Sequence, residues 1–79
     1  LEGLCEKYSH LINCGDYMYM GTSCLNGSND LCLYKNRITR RYLNIDIHGV
    51  CWQYNPDAHF QNDSYIQITQ ESAIEWVTG

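Results

Sequence analysis

Arg41-Tyr-Leu-Asn-Ile-Asp-Ile-His-Gly-Val-Cys-Trp-Gln-Tyr54 is the stretch that decides the fold class. In an extended chain Leu43, Ile45 and Ile47 fall on one side, and Tyr42, Asn44, Asp46 and His48 on the other. Such period-two alternation marks a half-buried strand. Gly49 interrupts the pattern, and a second β-favouring run follows with Val50, Trp52 and Tyr54 on one face. Cys51 sits at the junction, where it could bolt this centre to a distant segment.

Working outward toward the N-terminus, residues 31–35 read as a strand with Leu31 and Leu33 inward. Residues 16–22 read as another, with Met18 and Met20 on one face and Tyr17 and Tyr19 on the other. Between them, residues 23–30 are dense in turn formers and predict a hairpin loop. Residues 36–40 are polar and suit a turn or a short edge strand. Leu1, Leu4, Tyr8, Leu11 and Ile12 recur at helical spacing, followed by Asn13 and Gly15 as stop signals, which predicts a helix over 2–13. Toward the C-terminus, Asn55, Pro56 and Asp57 mark a turn, and residues 58–63 form a polar loop. Residues 64–69 alternate with Ile66 and Ile68 inward. Residues 72–77 fit a final edge strand or a helical turn, with Trp76 closing the core in either form. Five or six short strands separated by turns favour a small antiparallel barrel or sandwich.

The chain has 79 residues, near the size at which one hydrophobic core is marginal, and its five cysteines supply staples. Cysteine density, seven tyrosines and two tryptophans, together with the sequons at Asn26 and Asn62, predict a secreted protein. Its first residue is Leu and both methionines are internal, which reads as a processed product. The net charge of −4 disfavours binding to nucleic acid or to an anionic membrane. Four of the five basic residues nevertheless cluster as Lys35, Arg37, Arg40 and Arg41, with no acidic residue between Asp30 and Asp46. That basic island is the charge feature that stands out.

The cysteine spacing, Cys5-x8-Cys14-x9-Cys24-x7-Cys32-x18-Cys51, contains no zinc-site pair, so disulfides are the expectation and no metal or other cofactor is implied. Cys24 and Cys32 flank the predicted hairpin loop and could pair. Cys14 and Cys51 could tie the first strand to the central pair, and closing that loop would stabilise by about 4 kcal/mol. Cys5 is then left as a buried thiol, as the alternative partner of Cys51, or as a link to a second molecule. The spacing does not choose among these.

A small ribonuclease would need an acid, a base and a cation for phosphate, and His48, His59 and Glu71 with Arg40 or Arg41 include those types. These types occur in most domains, and no phosphate loop or nucleophile motif accompanies them, so a non-enzymatic protein is the expectation. The tyrosines at positions 17, 19, 34, 42 and 65 fall on predicted outward faces, where they could form a platform for a protein or a sugar.

Cys14 and Cys51 lie about forty residues apart, and the alternating run 42–47 stands just before Cys51. In these features residues 14–77 resemble the MAX effectors, small secreted proteins of plant-pathogenic fungi. The resemblance implies a mainly β, disulfide-stapled, six-stranded antiparallel β-sandwich over residues 14–79; the helical segment over 1–13 departs from the family pattern as an extension, as do the extra cysteines. It implies a monomeric virulence protein, secreted and translocated into plant cells. Such a protein would bind a host protein, in some cases a heavy-metal-associated domain of an immune receptor, by edge-strand pairing and side-chain contacts. Residues 31–37 are the candidate edge, and Tyr34, Lys35, Arg37, Arg40, Arg41 and Tyr42 the candidate partner-binding residues. A killer-toxin-like or antimicrobial domain is the competing expectation.

Overall fold

A computed structural model describes residues 1–25, 28–55 and 65–79. The sequons at Asn26 and Asn62, the turn after Asn55 and the loop carrying His59 lie outside the described residues.

The fold is mainly β. Strands β1 (Tyr17–Leu25), β2 (Ser28–Asn36), β3 (Tyr42–Asp46), β4 (Cys51–Tyr54) and β5 (Tyr65–Ile68) make one antiparallel sheet in the order β1-β2-β3-β4-β5. Helix α1 (Glu2–Lys7) precedes it, with a short 3-10 turn at Cys14–Asp16, and helix α2 (Gln70–Thr78) follows it. Residues 72–77, which fit an edge strand or a helical turn, are helical within α2, so the described residues form one helix-backed sheet and not two facing sheets. Thr69 caps α2, its hydroxyl accepting a hydrogen bond from the Ser72 amide at 3.1 Å, and Glu71 lies in the positive first turn. Ala73, Ile74 and Val77 then fall on one stripe and are buried, a spacing that serves a helix and not a strand.

Cross-strand partners share a face, so register sorts the side chains. Ile45 pairs with Cys32 and Cys51, and Cys51 with Ile68. These residues and Leu43 face the helices. The core unites Leu43, Ile45 and Cys51 with Leu4, Tyr8 and Ile12 from the N-terminal segment and with the α2 stripe. The N-terminal residues are therefore an extension only in chain order. They cover the sheet, and Tyr8 locks them to α2 by donating to Glu71 Oε1 at 2.9 Å. Leu31 and Leu33 pair with Asp46 and Asn44 on the opposite face, where Leu31 is fully buried outside this cluster.

Several expectations change with the register. A bulge between Tyr19 and Gly21 breaks the shared face of Met18 and Met20. Ile47 leaves the strand for the β3–β4 turn and is exposed, as is Ile66. Residues 31–37 are not an edge: β1 pairs along one side of β2 and β3 along the other, so the edges are β1 and β5. Tyr17 and Tyr34 pack against the core, while Tyr19 and Tyr42 are exposed.

The disulfide joins Cys5 to Cys14, nine residues apart, with Cα atoms 5.8 Å apart. The expected Cys14–Cys51 bridge does not form, because the turn after α1 brings Cys5 to Cys14 while Cys51 lies under both helices with no accessible surface. Cys24 and Cys32 are not bridged to each other; Cys32 pairs across the sheet with Thr22, and Cys24 stands in the β1 irregularity. Burial, then the nearby Asp46 charge, pushes the Cys51 thiol up to about 11. A thiol so protonated and enclosed is chemically inert. We expect iodoacetamide at pH 8 to label Cys51 only as fast as the protein unfolds, and readily in urea. Equal labelling rates in both conditions, read by peptide mass spectrometry, would contradict this core.

Candidate functional site

Two loops organise the site. The first, residues 36–41, is built by the buried Asn36, whose Oδ1 accepts from the Ile38 and Thr39 amides at 2.8 and 3.0 Å. Thr39 donates to the Val77 carbonyl at 2.6 Å, anchoring the loop to the end of α2. Arg37 is consumed by Asp16, with Nη2 3.0 Å from Oδ1. Arg40 closes the loop in the left-handed region, with φ 67°, a conformation that costs a non-glycine residue about 1 kcal/mol.

The second loop is the β3–β4 turn. Asp46 Oδ1 accepts from the His48 and Val50 amides at 2.8 and 3.0 Å, and Oδ2 accepts from the Trp52 indole N–H at 2.9 Å. Gly49, at φ 82°, supplies the left-handed residue of the turn. Burial draws the Asp46 carboxyl upward, but the hydrogen bonds from Trp52, Val50 and His48 outweigh it and leave the group below the usual carboxylate range.

Past that turn the central strands separate. β3 and β4 pair only at Asn44–Trp52 and Ile45–Cys51, although β2 pairs with β3 out to Tyr42 and β5 with β4 out to Tyr54. The gap is a cleft of about 410 Å³, within the range of small ligand sites. Leu43, Ile68 and Ala73 form its apolar base, and Tyr42, Tyr54 and Trp76 are among its walls. Trp76, expected to close the core, is instead 44% exposed. The Arg41 guanidinium stacks 4.3 Å from its ring centroid and donates to its carbonyl at 2.9 Å. Arg40 lies on the rim without an ion-pair partner among the described residues.

Asn44 sits where the strands part. It is 5% exposed, and its Nδ2 donates to the Trp52 carbonyl at 3.1 Å. That bond fixes the amide orientation, because a carbonyl can receive only the nitrogen side. Oδ1 is then a buried acceptor with no hydrogen-bond partner among the described residues.

Of the six residues expected to bind a partner, the structure brings Arg40, Arg41 and Tyr42 to the cleft. Lys35 does not line the cleft; it stands beside Tyr42, its Nζ 5.9 Å from that ring across the β2–β3 pair. Tyr34 faces the helix side against Tyr19, and Arg37 is held away by Asp16. Asn44, Trp52, Tyr54 and Trp76 are the cleft residues that the sequence did not single out. The β-favouring run puts Trp52 and Tyr54 on one face and the last segment gives Trp76 to the core, but the parting of β3 from β4 leaves no local pattern.

Of the residues with acid–base types, His59 lies outside the described residues. His48 is exposed in the turn, and Glu71 is bound by Tyr8. No cluster of three metal-ligating side chains occurs among the described residues, and no helix there is long and apolar enough to cross a membrane.

Fold and site together define a small mainly β protein: a helix-backed antiparallel meander with one disulfide and a basic-rimmed aromatic cleft. Comparisons with protein-family models, curated proteins and solved structures gave no match.

Proposed function

We propose that the chain is a secreted, non-enzymatic binding module of the effector type, which acts on a host protein through the cleft face. The observation that carries this reading is the convergence of Arg40 and exposed aromatic rings around a cleft that holds no acid–base pair among the described residues, with Lys35 beside Tyr42. Unpaired cations beside aromatic surface suit an acidic protein partner, both for steering and for anchoring. Of the two features behind the MAX resemblance the alternating central strand remains, while Cys14 is bridged to Cys5 and not to Cys51. If the partner is a heavy-metal-associated domain joined by strand pairing, the free edge is β1 or β5, because β2 is interior.

Reversing Arg40 and Lys35 removes from the fold only the contact of Lys35 with the Tyr42 ring, whereas Arg41 holds Trp76 by stacking and a hydrogen bond. We expect the wild-type protein to retain a saturable protein partner from host-tissue extract, and the Lys35→Glu/Arg40→Glu variant to bind it at least tenfold more weakly. Retention with unchanged affinity would remove the basic rim from the account. Cleavage of RNA that disappears in His48→Ala, or killing of a competing microbe, would replace the binding reading with the corresponding enzyme or toxin.

A further inference from the structure

We propose that the β3–β4 cleft binds a small aromatic carboxylate, its ring between the cleft walls and its carboxylate on Arg41. The proposal goes beyond the binding-module reading and does not depend on it. Two kinds of group line the cleft. Leu43, Ile68 and Ala73 give it an aliphatic base, and Tyr42, Tyr54 and Trp76 give it rings. Rings at such walls accept another flat ring in edge or offset contact. Tyr54 is steadied there by an edge contact with Tyr65, the ring centroids 5.7 Å apart. The volume of about 410 Å³ suits a small molecule.

The charge in the cleft has one sign. Arg40 and Arg41 line it, and no acidic side chain does so among the described residues. Arg41 is already ordered, because its guanidinium lies 4.3 Å from the Trp76 ring centroid and its Nη1 donates to the Trp76 carbonyl at 2.9 Å. That bond uses one of the five N–H donors of a guanidinium. The rest of the fork has no acceptor among the described residues. A planar fork matches the two oxygens of a carboxylate, and one held in place loses little freedom on binding. Arg40, exposed at the rim and without an ion-pair partner among the described residues, adds a second positive charge. A neutral ring would leave these donors unmatched, and an inorganic anion would leave the apolar base uncovered. An aromatic carboxylate satisfies both.

The probe is 2-naphthoate, added to the whole chain, with 2-naphthamide as its neutral isostere and acetate as the head group alone. Binding is followed by two-dimensional NMR of the ¹⁵N-labelled protein. The expected result is saturable shifts at the Trp76 indole N–H, the Arg41 Nε–H and the Ala73 amide, half complete at about 1 mM or below. The amide and acetate should each bind about tenfold more weakly or worse, since one lacks the charge-assisted bonds and the other the ring. Arg41→Lys, which keeps the charge and loses the fork, should weaken 2-naphthoate by about tenfold. Arg40→Gln should weaken it about threefold with Tm unchanged, which separates lost charge from lost fold. No saturation by 2-naphthoate, equal binding of 2-naphthamide, or shifts away from Arg41 and Trp76 would overturn the proposal. The probe is used without any partner, so such a failure leaves the binding-module reading to the extract experiment alone.

Discussion

Leu43→Ala should destabilise the protein by about 3 kcal/mol, while Ile47→Ala, four residues along the same alternating run, should cost less than about 0.5 kcal/mol. Leu43 is 1% exposed beneath the helices, and Ile47 is 66% exposed in the β3–β4 turn. A buried truncation loses the transfer energy of the removed atoms and leaves a cavity, whereas an exposed one loses little of either. For a domain of this size total stability is about 4–12 kcal/mol, so the first variant should show a much lower urea midpoint and the second almost none. Equal midpoints would mean that the alternation continues through residue 47 and that the sheet register is different.

The second large effect belongs to Asp46. Its carboxylate closes the β3–β4 turn and orients Trp52 on the cleft wall. Asp46→Ala removes three charge-assisted hydrogen bonds and leaves a half-buried indole N–H unpaired, so a loss of about 3 kcal/mol is expected. Asp46→Asn, which keeps an acceptor, should lose less. The pH dependence has a definite sign. Because the folded group lies below its ordinary value, its contribution is complete above about pH 4, the unfolded carboxyl range, and is lost as pH falls through the lower folded value. The Trp52 indole N–H resonance should titrate with it, below the range of a free aspartate. A Trp52 signal that is flat in acid, or a midpoint at the ordinary value, would show that the carboxylate is not bonded as described.

These two residues also mark how far local pattern reaches. Alternation correctly gave Leu43 and Ile45 to the core and Tyr42, Asn44 and Asp46 to the other face, because the side-chain period of a strand is a property of the strand itself. It failed at Ile47, where Asp46 turns the chain by hydrogen bonds that the apolar pattern does not encode. The basic island was legible as charge, but its four members have different fates: Arg37 is paired with Asp16, Arg41 with Trp76, Lys35 stands by the Tyr42 ring, and Arg40 lies at the cleft rim. Proximity in sequence gave the cluster, and the partners of Arg37 and Arg41 came from segments 21 and 35 residues away.

By itself the sequence determined that this is a small, mainly β, cysteine-bearing chain with an alternating central strand and a helical start. Those properties follow from local spacing, and local spacing survives in any arrangement of the segments. The tertiary structure alone decided which cysteines meet, that the last segment coils into a helix over the sheet, that β2 is interior, and that β3 and β4 part at Asn44. Each of these depends on which distant surface a side chain finds. Such choices are made by the shared core of α1, α2 and the sheet, and no window of neighbouring residues contains it.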